Sequence, residues 1–570
     1  MHKLRASLVT SFRNDWKLLL ICSFPAVLLG GFGLSQLNIF TVSNCLLLFV
    51  LKWICEFLFL GICLSLLQLC GLKNKPVVTV LAFFYYWTVI ADVVLLWYFK
   101  ERFGAKYVDT LQGGDYGFLT DPRVLLCFVL LLLCCAIVVW KFFAPAPRKT
   151  ALKRTAWCAG GLVLLWGISH LLPFYQAYLL SPSIIYTGRA MLAQKPTPVF
   201  TQQLPSVATQ YNVFSAQPTP VGKNYKRVIL IASESLSNKY LHHFNPNIPA
   251  DASRELDELY ENNPSASLRH VTLSTLYGLT VIFTSHPYAQ LSFENQYPIS
   301  LVKELSKHGF HTAFLRGANE TYMNEHILFH QAGFKDVVGA TYFQTREDYK
   351  KYLNWWGLMD RKLFDYAIEF LSEKKDTPVF LTLLTVDTHV PLGRLDYLGE
   401  AYRETDHKFY KTPTLPRAFG RFGQDVQGFL DALAAKGLWD DQTLVLVMPD
   451  HPSYSNTPTN ALFKPFRAEF DNLPFIIITK EKITAPLTAH PLASQLDIAP
   501  TVLDLLNLEI PRGMFGHSLF DLQARRSIFD IKEDYAVVTT EEGKTIIPLR
   551  SRRAQDKPVL ELIRTFYQPQ

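Results

Sequence analysis

The chain has 570 residues, 49% of them hydrophobic and 18% charged, with 56 Lys and Arg against 49 Asp and Glu for a net charge of +7. The basic excess sits at one end: residues 1–172 carry 16 basic and 7 acidic residues, and the remainder carries 40 and 42. That distribution excludes a nucleic-acid binder, which needs a basic soluble face, and the composition excludes a disordered, collagenous or small disulfide-stapled chain. All nine cysteines lie between Cys22 and Cys158 in apolar runs without CxxC spacing, so the sequence beyond Cys158 has neither disulfides nor thiolate metal sites.

Five apolar stretches reach the roughly 20 residues needed to cross a bilayer. They are Leu18–Phe40, Asn44–Cys70, Pro76–Phe99, Val124–Phe143 and Ala156–Leu172. The first is too long for a cleaved leader, lacks a small-residue cleavage site and precedes further spans. Flanking charge sets the orientation. Lys3, Arg5, Arg13 and Lys17 precede the first span, Lys73 and Lys75 follow the second, and Lys141, Arg148, Lys149, Lys153 and Arg154 separate the fourth from the fifth. The intervening connections are uncharged or balanced by acids. The expectation is an N-terminus inside, five helical spans over residues 1–172, and the large C-terminal part outside. Lys52 and Glu56, four apart on one helical face, are expected to neutralise each other within their span.

Residues 173–226 read as a connector: an apolar, partly helical surface segment, then extended chain rich in Pro, Thr and Gln (KPTPVFTQQLP, SAQPTPVGKNYK). From residue 227 to 570 the pattern becomes short apolar runs separated by amphipathic stretches. RVILIASES (227–235), TAFLRG (312–317), VFLTLLTVD (379–387), TLVLVMPD (443–450) and FIIITKE (475–481) read as buried strands. Ile299–His308, Met359–Lys374 and Ala418–Lys436 have helical periodicity. The alternation predicts an α/β domain with a mostly parallel sheet, whose chemistry belongs at the carboxyl ends of the strands.

The polar residues are concentrated there. Glu234 ends the first strand, Asp387 and His389 end another, and Asp450 and His451 end a third. Carboxylates with one imidazole suit a divalent cation such as Mn, Mg or Ca, and the nitrogen also accommodates Zn. The segment VTLSTLYGLTVIFTSHP (271–287) offers hydroxyl nucleophiles at Thr272, Ser274, Thr275 and Thr280. A cation can lower the pKa of such a hydroxyl enough for attack on phosphorus or sulfur.

Taken with STLYGLT…TSHP, FLRGANETYMNEHILFHQAGFKDV, LLTVDTHVPL, MPDHPSY and ASQLDIAPTVLDLLNL, these residues resemble the alkaline phosphatase/sulfatase superfamily. The likeness is to its membrane-anchored branch of lipoteichoic acid synthases and periplasmic phosphoglycerol or phosphoethanolamine transferases. The resemblance implies a sulfatase-like outer domain and one metal bound by Glu234, Thr275, Asp450 and His451. Thr275 is then also the nucleophile, and His389 contacts phosphate or protonates the leaving group. It places Arg316, Asn324, Trp355 and Trp356 near the substrate. In lipoteichoic acid synthases an arginine follows the asparagine of a Trp-Asn-Arg stretch; here Met323-Asn324-Glu325 puts a carboxylate in that position. A free carboxylate repels phosphate and welcomes an ammonium, which turns the expectation toward phosphoethanolamine. The absence of outer-domain disulfides, which the lipid A phosphoethanolamine transferases carry, pulls the other way.

The implied activity moves a phospholipid head group through a phosphothreonine onto an envelope glycan or glycolipid, at the outer face of a bacterial inner membrane. Two other readings are release of product to water by a phosphodiesterase or sulfatase, and a catalytically silent lipid-binding regulator. The absence of a CxPSR-like stretch disfavours the sulfatase, and the complete set of site residues disfavours the silent relative.

Overall fold

The structure is a computed structural model. It describes residues 42–71, 74–99, parts of 129–140, 147–169 and 196–198, and residues 221–569 except 288–298, 322–324, 355, 390–414, 454–467, 532–534 and 550. The chain divides into two compact units, Met1–Lys195 and Pro196–Gln570.

The first unit contains helices α1 (Val42–Leu69), α2 (Lys75–Phe99) and α3 (Arg148–Ser169). The first two coincide with the second and third apolar stretches of the sequence, and α3 overlaps the fifth. The first stretch and most of the fourth lie outside the described residues. Among the described residues, no helix is long and apolar enough to cross a membrane. The five-span anchor therefore rests on the sequence. Glu56 is buried and accepts a hydrogen bond from the Tyr85 hydroxyl of α2 at 2.5 Å. A phenol on the next helix thus partners this carboxylate, and the Lys52 side chain lies outside the described residues.

The second unit is built on seven strands: β1 (Arg227–Ser233), β2 (Ser265–Leu268), β3 (His311–Arg316), β4 (Asp336–Val338), β5 (Val379–Leu384), β6 (Thr443–Pro449) and β7 (Leu473–Thr479). Their order across the sheet is β2-β7-β6-β1-β5-β3-β4. Strands β6, β1, β5, β3 and β4 run parallel. Strand β7, read from the sequence as FIIITKE, is antiparallel to β6, and β2 is antiparallel to β7. An antiparallel edge on a mostly parallel sheet is a common pattern.

The central runs are continuously apolar because both sheet faces are covered. Val228, Leu230, Ala232, Leu446 and Phe314 point to one layer, which holds α5 (Thr275–Thr284), α6 (Leu301–Lys307), α7 (Glu325–Ala332) and α10 (Ile498–Leu505). Ile229, Ile231, Leu315, Leu383 and Val447 point to the other, which holds α4 (Arg254–Asn262), α8 (Asp360–Glu373) and α9 (Leu415–Ala435). The sequence reading missed β2 and β4, whose 4 and 3 residues are too few to show a period. It also missed a C-terminal three-stranded antiparallel sheet, β8 (Ile528–Ile531), β9 (Tyr535–Thr540) and β10 (Gly543–Pro548). Helix α11 (Lys557–Phe566) shares a third core with that sheet, which also takes in Val271 and Val281 on either side of the start of α5.

Phe314 is fully buried and stacks on Phe329 of α7 with ring centroids 4.0 Å apart. Phe314→Ala should therefore destabilise the outer domain by about 3–5 kcal/mol, the usual range for an aromatic removed from a core. Thermal or denaturant unfolding followed by near-UV circular dichroism measures it; a change below about 1 kcal/mol would contradict this packing.

Candidate active site at the strand ends

Strands β1 and β6 are in parallel register, with Ala232 opposite Met448 and Ser233 opposite Pro449. The residues that follow each strand, Glu234 and Asp450, therefore leave the sheet side by side at its carboxyl edge. The Asp450 amide donates to the Ser233 carbonyl at 3.1 Å, extending the ladder by one bond. Glu234, Asp450 and His451 are all buried, and one ligand atom from each lies within 4.8 Å of the others. His451 Nε2 is 3.3 Å from Glu234 Oε1.

Thr275 joins the group from above, as the first residue of α5. Its Oγ1 is 3.2 Å from Glu234 Oε2 and 3.3 Å from His451 Nε2. Of the four hydroxyl candidates it is the one whose hydroxyl has these contacts; Thr280 donates instead to the Leu276 carbonyl at 2.8 Å. The approach of α5 depends on Gly278. A Cβ there would stand 2.0 Å from the Asp450 carbonyl oxygen, so any side chain forces the helix and its Thr275 away. Gln495 fills the remaining gap, donating to that same carbonyl at 2.6 Å and accepting from the Val271 amide at 2.9 Å.

Other residues complete the cradle without any prior signal beyond their presence in quoted runs. Ser235 takes a left-handed φ of 60°, which lets its amide donate to Asp450 Oδ1 at 2.9 Å while its hydroxyl donates to Glu234 Oε1 at 2.6 Å. The Thr388 hydroxyl donates to the Glu234 carbonyl at 2.6 Å, tying the β5 exit to the β1 exit. Lys239 is buried, donates to the Ser453 carbonyl and pairs with Asp471, each at 3.1 Å, and so braces the chain just beyond His451.

The donor set is acceptor-rich. His451 Nδ1 lies 2.9 Å from the Pro452 carbonyl, a geometry that places the proton on Nδ1 and leaves Nε2 facing Glu234 and Thr275. Asp450 Oδ2 is buried with no hydrogen-bond partner among the described residues. Burial, then the Glu234 charge, lift the Asp450 carboxyl to about 7. Burial opposes protonation of His451, but the charges of Asp450 and Glu234 outweigh it and raise the imidazole to about 9. Burial also opposes the Glu234 charge, yet the hydrogen bond from His451 and the nearby His389 hold its carboxyl well below the usual range. Facing acceptors of this kind call for a shared proton or a cation, and three of them at this spacing fit a divalent metal.

His389 is half-buried at the end of β5, with its ring centroid 4.1 Å from that of Trp356. Asn324 and Trp355 lie outside the described residues. Arg316 ends β3, opposite Leu384 of β5, and forms a buried ion pair with Glu325 at the start of α7. That contact gives Glu325 a counter-charge within the protein. The guanidinium compensates its charge, because an acid buried on α7 needs a partner and the neighbouring strand end supplies it. The large cavity of about 490 Å³ lined by Arg525, Glu541, Glu542 and Gln555 belongs to the C-terminal sheet and holds none of these residues.

Residues 226–508 match the sulfatase family model. Phosphoglycerol transferase I of Salmonella choleraesuis is 27% identical over 236 residues, which cover 40% of this chain and 29% of that protein. The protein of the same name from Escherichia coli O6:K15:H31 is 26% identical over 322 residues, 54% of this chain and 40% of that one. The chain thus spans less than half the length of these relatives. Among solved structures, the integral membrane lipooligosaccharide phosphoethanolamine transferase A of Neisseria meningitidis superposes with a TM-score of 0.54 at 16% identity, covering 87% of this chain and 95% of that one. A protein of the alkaline phosphatase superfamily from Vibrio parahaemolyticus gives 0.47 at 20% identity over 65% and 90%. By the family model that they match, residues 226–508 of this chain form a sulfatase/alkaline-phosphatase-like domain.

Proposed function

We propose that the chain is a membrane-anchored, metal-dependent transferase that moves a phospholipid head group, with its phosphate, onto an envelope glycan or glycolipid. The observation that carries this reading is Thr275 at a helix N-terminus beside the Glu234–Asp450–His451 cluster. Glu234, Asp450, His451 and Thr275 itself would hold one divalent ion, Mn or one of Zn, Mg and Ca. Such an ion neutralises phosphate oxygens and acidifies a bound hydroxyl.

The chain's own residues supply the rest. The N-terminus of α5, which begins at Thr275, carries a partial positive charge that favours a phosphate there. Thr275 Oγ1 forms a bond to phosphorus in line with the ester oxygen of diacylglycerol, and its proton leaves along the contact to Glu234 Oε2. As that ester bond breaks, His389 protonates the departing oxygen. The head group now sits on Thr275 as a phosphodiester. An acceptor hydroxyl then gives its proton to His389 and attacks phosphorus, the Thr275–phosphorus bond breaks, and Thr275 recovers its proton.

Two observations support the membrane placement. Among the described residues, sixteen of the nineteen exposed large hydrophobics, Trp157, Val163 and Leu164 among them, belong to the first unit, and such a surface suits lipid rather than water. The fold likeness to the Neisseria integral membrane protein covers 87% of the chain, more than residues 196–570 alone can supply. The domain layout that follows is a five-helix anchor over 1–172, a connector over 173–226 and a catalytic domain over 227–570 outside a bacterial inner membrane. With Glu325 compensated by Arg316, nothing at that position prefers an ammonium, and the names of the curated relatives turn the reading toward phosphoglycerol.

Incubating the full chain with phosphatidylglycerol and no acceptor should leave a phosphoglycerol adduct on the peptide containing Thr275, and Thr275→Ala should abolish it. Phosphatidylethanolamine as the better donor would overturn the choice of head group, an adduct elsewhere would overturn the nucleophile, and rapid release of free glycerophosphate would favour a hydrolase. Gly278→Ala should lower turnover at least about 10²-fold while the fold persists, the scale expected when a catalytic group is displaced by about 1 Å. Wild-type rates in that variant would mean that the helix approach is not needed. Reporter fusions should place residue 150 in the cytoplasm and residue 230 outside; a cytoplasmic signal at 230 would rule out the five-span layout.

A further inference from the structure

Proton transfer by His389 requires that its ring be held at a fixed angle, and the usual means is a hydrogen bond to the second ring nitrogen. His389 Nδ1 is buried and makes no hydrogen bond among the described residues. What meets the ring instead is the indole of Trp356, 4.1 Å away between centroids and tilted by 53°. The orientation of His389 thus depends on what fixes Trp356.

That role falls to Asn354, which the sequence did not single out. Its side-chain oxygen accepts from the Trp356 amide at 2.8 Å and from the Gly357 amide at 3.1 Å. Its own amide donates to the Gly357 carbonyl at 2.7 Å, which closes the turn on itself. Gly357 has a φ of +144°, and a Cβ there would stand 2.0 Å from the Gly317 carbonyl oxygen, so the turn is pressed against the β3 exit and cannot accept another residue at that position. The remaining Asn354 donor, Nδ2, reaches Asp387 Oδ1 at 3.2 Å, two residues before His389. Asp387 Oδ2 in turn accepts from the Asp360 amide at 2.9 Å, and the Asp360 carboxylate accepts from the Val386 amide at 2.7 Å. One asparagine therefore links the backbone that carries the indole to the strand end that carries the imidazole.

We propose that Asn354 is a positioning residue, which locks the Trp356 ring against His389 so that the imidazole can protonate the departing diacylglycerol oxygen. This rests on the head-group transfer reading above. In that step the phosphorus–oxygen bond to diacylglycerol breaks as Thr275 Oγ1 bonds to phosphorus, and the proton passes from His389 to the glycerol oxygen. An aryl leaving group such as p-nitrophenolate departs without that proton, so the residues that serve only to orient the acid should matter for an alkyl ester and not for an aryl one.

The test compares phosphatidylglycerol in mixed micelles with bis(p-nitrophenyl) phosphate, using the full chain loaded with metal. Asn354→Ala and Trp356→Leu should lower kcat on the lipid about 10²-fold, and Asn354→Ala should keep KM within about two-fold and lower the first-turnover release of p-nitrophenolate by no more than about three-fold. Trp356→Phe, which keeps a ring face for His389, should recover at least about ten-fold of the loss seen in Trp356→Leu. His389→Ala should lose at least as much activity on the lipid as either of these variants. Equal losses on both substrates would mean that the turn merely supports the fold or the metal cluster, and no loss on either would mean that His389 is held by something else; both overturn the proposal. If the wild-type chain cleaves the aryl ester but never transfers from the lipid, the head-group reading fails and this inference falls with it. If it transfers from the lipid but the variants show no substrate split, the inference alone fails.

Discussion

Two buried carboxylates can share so small a space with one imidazole only if positive charge, on the ring or on a cation, joins them. At an effective dielectric constant of about 20, unit charges about 4–5 Å apart repel by roughly 3–4 kcal/mol, and burial removes the water that normally dissipates that cost. A protein that only needed stability would replace such a set with apolar residues. Here the surrounding structure maintains it. Adjacent parallel strands deliver Glu234 and Asp450 together, Ser235 takes a left-handed backbone to donate to both, and Lys239 braces the chain after His451.

The same requirement explains the close approach of the helix that carries Thr275. Thr275 reaches Glu234 and His451 because Gly278, one turn later, lets the helix touch the Asp450 carbonyl. Gln495 and the third hydrophobic core, through Val271 and Val281, fix the helix from the far side. The C-terminal sheet therefore contributes to the site although it offers no side chain to the cluster. The helix N-terminus adds its own partial positive charge beside the cluster.

Much of this was legible in the sequence because the signals are local. Continuous apolar runs gave the central strands, and acids placed immediately after them gave the strand-end cluster, since in a parallel sheet neighbouring strands end on the same edge. What stayed hidden depends on residues distant in sequence. The partner of Glu325 is Arg316 on another element, and nothing in either segment announces that pair. The contact of Glu56 with Tyr85 likewise joins two helices. Asn354 lies in a turn whose meaning comes from Asp387 and Trp356, and edge strands such as β4 are too short to carry a period. The sequence-based choice of Thr275 over its neighbours came from family resemblance; the hydroxyl contacts to Glu234 and His451 give it an independent physical basis.

The account stands or falls on whether the Glu234–Asp450–His451 cluster holds a cation beside Thr275. Elemental analysis of the purified full chain by inductively coupled plasma mass spectrometry, alongside Asp450→Asn, tests this directly. The account predicts about one divalent ion per wild-type chain and a loss of at least about ten-fold in occupancy for a correctly folded Asp450→Asn. A wild-type chain that transfers head groups with no bound metal after chelation, or a variant that retains full occupancy, would contradict it.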